Sequence, residues 1–230
     1  MNKIVAIILA GGSGKRMGTA VKKQYIKLKD KEVIAHTIDV FNNMKDISDI
    51  IVVTGADEID YVKEEICDKY KLNKVKKVIA GGKERQDSVW NGIEAVADKY
   101  EYVIIHDGAR PFIEEETIIK CLDKAKQTGA SIVAVPLKDT IKVGNAKTGE
   151  VEATPNRETL WSVQTPQIFK THIIKEAHRY AKTHGIYGTD DSFLVEAMGE
   201  KVYIVEGKYT NIKMTTPDDL IIGEKILESK

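Results

Sequence analysis

A glycine-rich stretch with basic residues follows the first apolar run of the chain. It reads LAGGSGKRMG over residues 9–18, and Lys22 and Lys23 come soon after it. Backbone N–H groups in such a turn can approach phosphate closely, and nearby fixed cations neutralise its charge. The stretch therefore indicates a site for a triphosphate, although a glycine turn with solvated lysines would have the same composition.

Spacing disfavours two common phosphate-binding motifs. A Walker A loop needs Gly five residues before its Gly-Lys pair and Ser or Thr after it, whereas Leu9 and Arg16 stand at those places. In the dinucleotide fingerprint GxGxxG, Gly12 and Gly14 fit but Met17 occupies the third place. A hydride-transfer cofactor is therefore not expected.

A carboxylate and an arginine follow a second apolar run. Asp107 ends the run YVIIHD, and Arg110 comes three residues later. A carboxylate at the ligand-binding end of a strand suits a Mg²⁺ ion whose other ligands are phosphate oxygens and water, but it also suits a cap on the following turn. Arg110 either binds a phosphate or pairs with Asp107, and His106 is expected to be a structural neighbour.

The elements that must position these residues alternate between strands and helices. Apolar runs KIVAIILA, DIIVVTG, VKKVIAGG, EYVIIHD and ASIVAVP are typical of strands covered on both faces. Helical spacing lies between them and after them, over residues 33–41, 59–70, 88–100, 115–127, 171–182 and 191–198. This order predicts an α/β fold with a doubly wound, mostly parallel, Rossmann-like sheet in a single domain over residues 1–230. Ligands gather at the carboxyl ends of such strands.

The pattern changes over residues 137–163. Two β-rich stretches flank the turn-forming GNAKTGE without helical spacing, which predicts a projecting β-hairpin arm. Because an isolated hairpin is marginal in water, we expect this arm to pack on a second subunit and so to form a homodimer. Near the C-terminus, NIKM reads as a short strand that carries Lys213, and Thr216 and Pro217 mark the start of a last helix.

Composition limits the classes of partner. The chain has 35 basic and 35 acidic residues, so a formal net charge of zero predicts no broad attraction to nucleic acid or to an anionic membrane. Cys67 and Cys121 are far apart and lack metal-ligand spacing, which suits a reducing, cytoplasmic compartment. No apolar run approaches the roughly 20 residues that span a bilayer.

Six blocks together resemble one family. The stretch LAGGSGKRMG with KKQY, and then GGKERQDSVWNG, VIIHDGARPF, PLKDTIK with RETLWSVQTPQIF, TDDSFLVEAMG and NIKMTTPDDL, are similar in order to blocks of the 2-C-methyl-D-erythritol 4-phosphate cytidylyltransferases. This resemblance, which covers nearly the whole chain, implies a nucleotidyltransferase of the non-mevalonate isoprenoid pathway. It would transfer CMP from CTP to 2-C-methyl-D-erythritol 4-phosphate, release pyrophosphate, and use Mg²⁺ or another divalent cation.

The resemblance also implies residue roles. Arg16, Lys23 and Lys213 would stabilise charge at the reacting phosphates, and Asp107 would hold the metal. The nucleotide would contact Ala10, Gly11, Gly12, Gly14, Gly82 and Ser88, unless Ser88 merely opens a helix. The acceptor would contact Arg110, Thr140, Arg157, Thr165 and Thr189, of which Thr140 and Arg157 would come from the arm of a partner subunit; Thr189 could also cap the following helix.

Three departures from the family pattern leave alternatives open. Lys22 stands where the family commonly has Pro, Gly108 where it commonly has Ala, and AGG where it often has AAG. The AGG form also occurs in ribitol 5-phosphate cytidylyltransferases, so ribitol 5-phosphate is the alternative acceptor. A protein that binds CTP without turning it over is the alternative of another class.

Overall fold

The structure, a computed structural model, describes residues 3–12 and 22–229 of the 230. Arg16 and Gly14 therefore lie outside the described residues. In chain order the elements are β1 (Ile4–Leu9), β2 (Lys27–Leu28), β3 (Lys31–Glu32), α1 (Val33–Asn43), β4 (Asp49–Thr54), α2 (Ile59–Tyr61, continued by a π-helical segment Val62–Asp68), β5 (Val75–Ala80), α3 (Arg85–Glu94), β6 (Tyr102–Asp107), α4 (Glu115–Thr128), β7 (Ala130–Pro136), β8 (Val143–Gly144), β9 (Val151–Ala153), β10 (Trp161–Lys170), α5 (Thr171–His184), α6 (Asp191–Ala197), β11 (Tyr203–Glu206) and α7 (Pro217–Glu228).

A seven-stranded sheet lies at the centre, in the order β11-β7-β10-β6-β1-β4-β5. Its pairs are parallel except where β10 runs antiparallel to both β6 and β7. The predicted α/β fold with a mostly parallel sheet is therefore confirmed. Leu9 pairs with Asp107, so the ends of β1 and β6 lie side by side. We call the end of the sheet where β1, β4, β5 and β6 finish the carboxyl edge.

Helices cover both faces of the sheet, because the buried strands carry apolar residues at successive positions. In β1, Ile4, Ala6 and Ile8 pack into a core with α1 and α4, whereas Val5 and Ile7 pack into a second core with α3 and α5. The sheet is therefore packed on both faces. In the described part of the chain, no helix is both long and apolar enough to cross a membrane.

Some element boundaries differ from those predicted. The predicted helix over residues 88–100 is instead α3, which begins at Arg85 because the backbone N–H of Glu84 donates to Asp87 Oδ2 at 3.0 Å and caps it. The NIKM segment is not a strand, although Met214 N donates to Ala109 O at 2.8 Å. The last helix begins as predicted, with Thr216 at its N-cap and Pro217 in its first turn.

The hairpin arm is present but shorter than predicted. Its strands β8 and β9 pair with each other in a separate two-stranded sheet. Residues 161–163, which the sequence assigned to the arm, belong to β10 and pair with β7. The sequence around them, WSVQTPQ, is polar and contains Pro, so it does not show the apolar pattern of a buried strand. Polar side chains of this strand line a cavity described below. We use "the arm" for residues 137–160.

Candidate functional site

A cavity of about 350 Å³ lies at the carboxyl edge. A volume of this size suits a small-molecule ligand. Its walls combine the end of β1, the segment before α3, the end of β6 and the segment before α7. They consist of Leu9, Ala10, Gly11, Gly12, Lys23, Gln24, Gly82, Lys83, Glu84, Arg85, Ser88, Asp107, Ala109 and Lys213. Every proposed nucleotide contact within the described residues therefore borders one cavity, as do Lys23, Lys213 and Asp107.

The glycines after β1 leave space that the described protein does not fill. A Cβ atom added at Gly11 would meet its nearest described neighbour at 3.9 Å, and one added at Gly12 would meet Lys23 Cε at 3.8 Å. Gly82 differs, since its Cβ would lie 2.2 Å from that of Asp87. Packing against α3 thus requires glycine at position 82, whereas Gly11 and Gly12 keep a ligand-facing surface open.

The two lysines after the glycine-rich stretch face different partners. Lys22 Nζ lies 2.8 Å from Glu58 Oε1, whereas Lys23 borders the cavity. This arrangement favours Lys23 as the residue that meets the ligand. Gln24, which is 2% exposed, donates through Nε2 to the backbone oxygens of Ala10 and, at 3.4 Å, Gly12. Gln24 thereby fixes the turn after β1, a role that sequence analysis missed.

Three cations surround the Asp107 carboxylate. Lys213 Nζ lies 2.7 Å from Oδ2, Arg110 Nε lies 3.6 Å from Oδ2, and Arg85 Nε lies 3.9 Å from Oδ1. Burial alone would raise the pKa of Asp107, but Lys213, Arg85 and Arg110 together hold it well below its ordinary value. Asp107 is therefore ionised at neutral pH. Of the two roles considered for Arg110, the ion pair with Asp107 is present, and its contact with a phosphate stays a prediction.

Thr165 and His106 support Asp107 from within the sheet. Thr165 Oγ1 accepts from Asp107 N at 3.0 Å and is hydrogen-bonded to His106 Nδ1 at 3.1 Å. The other ring nitrogen of His106 contacts Arg110 O at 3.1 Å. Burial lowers the pKa of His106 to about 4, so the ring is neutral near pH 7. His106 is a structural neighbour, as predicted, and the Thr165 hydroxyl has two partners inside the protein.

A second cavity, of about 310 Å³, adjoins the first. It is lined by Arg85, Asp107, Arg110, Val163, Gln164, Thr165, Gln167, Thr189, Asp190 and Lys213. Three proposed acceptor contacts, Arg110, Thr165 and Thr189, thus meet around one space. Asp190 rather than Thr189 caps α6, because its Oδ1 accepts from Phe193 N at 2.9 Å.

Ser88 holds the segment before α3. Its hydroxyl donates to Glu84 O at 3.0 Å and accepts from Gly82 N at 3.0 Å. The alternative that Ser88 opens a helix is wrong, since α3 begins at Arg85. Its contact with a nucleotide base stays a prediction.

The arm residues stand apart from both cavities. Thr140 and Arg157 are exposed, and Arg157 Nη1 donates to Lys138 O at 2.7 Å within the arm. Neither residue borders the two cavities in this chain. Their proposed role depends on a second subunit.

Comparison with known proteins identifies the family. The sequence model of 2-C-methyl-D-erythritol 4-phosphate cytidylyltransferase matches residues 4–229. The chain belongs to this family. A member from Alkaliphilus metalliredigens is 50% identical over all of this chain and 95% of its own, and one from Desulforamulus reducens is 46% identical over 100% and 98%.

Solved structures of the cytidylyltransferase family share the fold. The 4-diphosphocytidyl-2C-methyl-D-erythritol synthase from Anaerococcus prevotii superposes with a TM-score of 0.86 at 33% identity, covering 99% of this chain and 96% of its own. The Thermus thermophilus cytidylyltransferase gives 0.80 at 28% identity, covering 99% and 100%. The sheet and its helices are therefore those of this family.

The sequence did not predict the structural roles of Gln24, Arg85 and Gln167 within this cytidylyltransferase fold. Gln167 donates to Asp190 Oδ2 at 2.8 Å and accepts from the backbone N–H of Asp191 and Ser192. The sequence pointed to Gln167 only through its place in the block RETLWSVQTPQIF, because hydrophobic periodicity does not identify a polar residue that is buried.

Proposed function

We propose that the chain transfers CMP from CTP to 2-C-methyl-D-erythritol 4-phosphate, giving 4-diphosphocytidyl-2-C-methyl-D-erythritol and pyrophosphate. The observation that carries this proposal is the pair of adjoining cavities, which share Arg85, Asp107 and Lys213. One cavity has the open glycine turn suited to a triphosphate, and the other has the arginine and threonines suited to a polyol phosphate.

The reaction needs positioning and charge neutralisation more than a base. A phosphate monoester has a second pKa of about 6, so its oxygen is already largely ionised at neutral pH. That oxygen attacks the α-phosphorus of CTP, a P–O bond to the acceptor forms, and the bond to the pyrophosphate oxygen breaks. Lys23 and Lys213 stabilise the negative charge at the reacting centre, and Arg16 is assigned the same role from the resemblance.

Asp107 suits a hard divalent cation. Among the described residues, no group of three or more His, Cys, Asp or Glu side chains could hold a metal by itself. Mg²⁺ is commonly held by one or two carboxylates together with substrate phosphates, and Asp107 supplies one ionised carboxylate at the shared wall. When bound, Mg²⁺ neutralises phosphate charge; Asp107 would hold it.

The acceptor in this proposal is the one named in the matched family. The relatives that match over the full chain carry the methylerythritol phosphate name, which favours this acceptor over ribitol 5-phosphate. The three charged side chains that both cavities share, Arg85, Asp107 and Lys213, favour an enzyme over a protein that only holds CTP, because binding alone does not require them at the boundary between two cavities.

Pyrophosphate release tests the reaction. The purified chain is given Mg²⁺ with CTP and either methylerythritol 4-phosphate, ribitol 5-phosphate or no acceptor, and UTP replaces CTP as a control. Release with CTP and methylerythritol phosphate alone is expected. Preference for ribitol phosphate would change the acceptor, and binding of CTP without turnover of either acceptor would favour the binding protein.

The arm supports a second proposal, a homodimer in which Thr140 and Arg157 complete the acceptor site of the partner. Mixing two inactive variants, Lys23→Ala and Arg157→Ala, tests it, because a mixed dimer regains one intact site. With random exchange, about a quarter of the wild-type activity should return. No recovery, or a monomer at micromolar concentration, would contradict the shared site.

The neutral charge and unpaired thiols Cys67 and Cys121 accord with the expected cytoplasmic location.

A further inference from the structure

Arg85 borders both cavities, although the sequence predicted no role for it. Arg85 is the first residue of α3 and belongs to the block GGKERQDSVWNG, which also contains the proposed nucleotide contacts Gly82 and Ser88. Its guanidinium nevertheless reaches the wall of the second cavity. Asp107 and Lys213 are the two other residues that line both spaces, and both already have roles in the proposed reaction.

The guanidinium of Arg85 joins two carboxylates from distant parts of the sequence. Nη2 lies 2.7 Å from Asp191 Oδ2, and Nε lies 3.9 Å from Asp107 Oδ1. A planar guanidinium presents donors in a fixed fork, which a lysine ammonium cannot reproduce. Arg85 thereby sets the distance between the end of β6 and the start of α6.

Asp191 depends on this contact for its charge. The carboxylate is 1% exposed, and burial by itself would raise its pKa, but Arg85 and His178 hold the pKa below its ordinary value. His178 Nε2 lies 3.8 Å from Asp191 Oδ1 and has no hydrogen-bond partner among the described residues. A buried ionised carboxylate is costly unless paired, so Asp191 should follow any movement of Arg85.

Movement of Asp191 would reach the acceptor side directly. Its backbone N–H donates to Gln167 Oε1 at 3.2 Å, and Thr189, which lines the second cavity, stands two residues before it. A ligand that shifts Arg85 from the first cavity therefore acts on the residues that form the second.

We infer that Arg85 is a positioning residue that couples the nucleotide and acceptor cavities by holding Asp191 and Asp107 in a fixed relation. This inference rests on the proposed function and specifies how its two substrates influence each other. Coupling of this kind is reciprocal: each substrate changes the affinity for the other by the same factor. A merely structural ion pair would anchor α6 to α3 and leave the two affinities independent.

Calorimetric titration of a non-reactive CTP analogue tests the coupling. The analogue carries a methylene group between the α- and β-phosphorus, so it cannot transfer CMP. Its Kd is measured with Mg²⁺, in the absence and in the presence of saturating methylerythritol 4-phosphate. The wild-type chain should show a ratio of about 5 or more between the two Kd values, within the usual range of coupling factors.

Two variants and one control separate positioning from folding. Arg85→Lys keeps the charge but loses the fork, and Asp191→Asn removes the other partner. Both should bring the Kd ratio close to 1, and Arg85→Lys should lower kcat about 100-fold, as expected for small displacements of reacting groups. Arg179→Lys, the same substitution on the exposed face of α5, should leave the ratio and kcat unchanged.

The outcomes also distinguish this inference from the proposed function. Turnover by the wild-type chain combined with a Kd ratio that survives in either folded variant, or that is already 1 in the wild type, overturns the role of Arg85 alone. A wild-type chain that turns over neither acceptor overturns the proposed function and, with it, the coupling. Urea unfolding midpoints identify which variants are folded.

Discussion

Asp107 and Arg157 are charged residues in two regions that differ in burial: the first lies at the end of a buried strand, and the second lies on an exposed arm. Asp107 ends a strand that is buried at every position, and three cations surround its carboxylate. Arg157 lies on an exposed arm, where its guanidinium donates to a backbone oxygen of the same arm. The carboxyl edge is thus organised by a single chain, whereas the arm presents exposed groups that border neither cavity of this chain.

The largest expected effect comes from removing the nearest cation at the carboxyl edge. Lys213→Ala takes away the ammonium 2.7 Å from Asp107, and we expect kcat/KM to fall about 10²–10³-fold, or about 3–4 kcal/mol, by analogy with the loss of an oxyanion donor. Steady-state pyrophosphate release measures it. The control Lys120→Ala removes an exposed lysine of α4 and should retain activity; equal activity in both variants would remove Lys213 from the reaction.

The second effect is a pH dependence of stability that originates at His106. Because its pKa is about 4 in the folded protein against 6.5 ordinarily, the unfolded chain binds more protons between those values. The stabilisation is complete above pH 6.5 and is lost as the pH falls towards 4, by about 3 kcal/mol.

Urea unfolding in metal-free buffer at several pH values measures this effect. The variant His106→Gln should flatten the profile between pH 6.5 and 4, whereas His172→Gln, which changes an exposed histidine of α5, should leave it steep. Identical profiles for the wild type and His106→Gln would show that His106 does not stay neutral.

A smaller effect is expected at Thr165, whose hydroxyl joins Asp107 to His106. Thr165→Val conserves the shape but leaves two buried polar groups without this partner, and we expect a loss of about 2 kcal/mol in the free energy of unfolding. The same replacement at the exposed Thr183 of α5 serves as the control. A loss no larger than that control would mean that the hydroxyl is not needed to hold Asp107.

The smallest effect is expected in the arm. Arg157→Ala should change the free energy of unfolding by no more than about 0.5 kcal/mol, since an exposed side chain contributes little within one chain. The contrast between the arm and the carboxyl edge is clearest if the same Arg157→Ala preparation keeps its stability but loses its catalytic activity. A loss of stability above that value in dilute protein would show that the arm is held by its own chain.

The sequence predicted the carboxyl edge well because simple rules connect it to the fold. Apolar runs identified β1 and β6, and the rule that ligands gather at the carboxyl ends of such strands assigned the turn after β1 and the end of β6 to a ligand site. The structure adds that β1 and β6 are neighbours, with Leu9 paired to Asp107. The residues of the six quoted blocks then supplied the remaining cavity walls.

The contact between Arg85 and Asp191 could not be predicted. Arg85 and Asp191 are 106 positions apart, and a single sequence carries no information on their distance. The burial of Gln24 and Gln167 was not predicted because hydrophobic periodicity does not identify a buried glutamine. The strand β10 was not predicted because the polar residues that line the second cavity interrupt its apolar pattern.

The antiparallel pairing of β7 with β10 has a consequence for the length of the arm. The arm leaves the sheet after β7 and returns to β10, and Leu137 N donates to Leu160 O where the two ends meet. Closing a longer insertion at such a point costs only about 0.6 kcal/mol per doubling of its length. A change in the length of the arm therefore costs little free energy, and the contact between Thr165 and Asp107 does not depend on that length, because β10 is held by its pairing with β6 and β7.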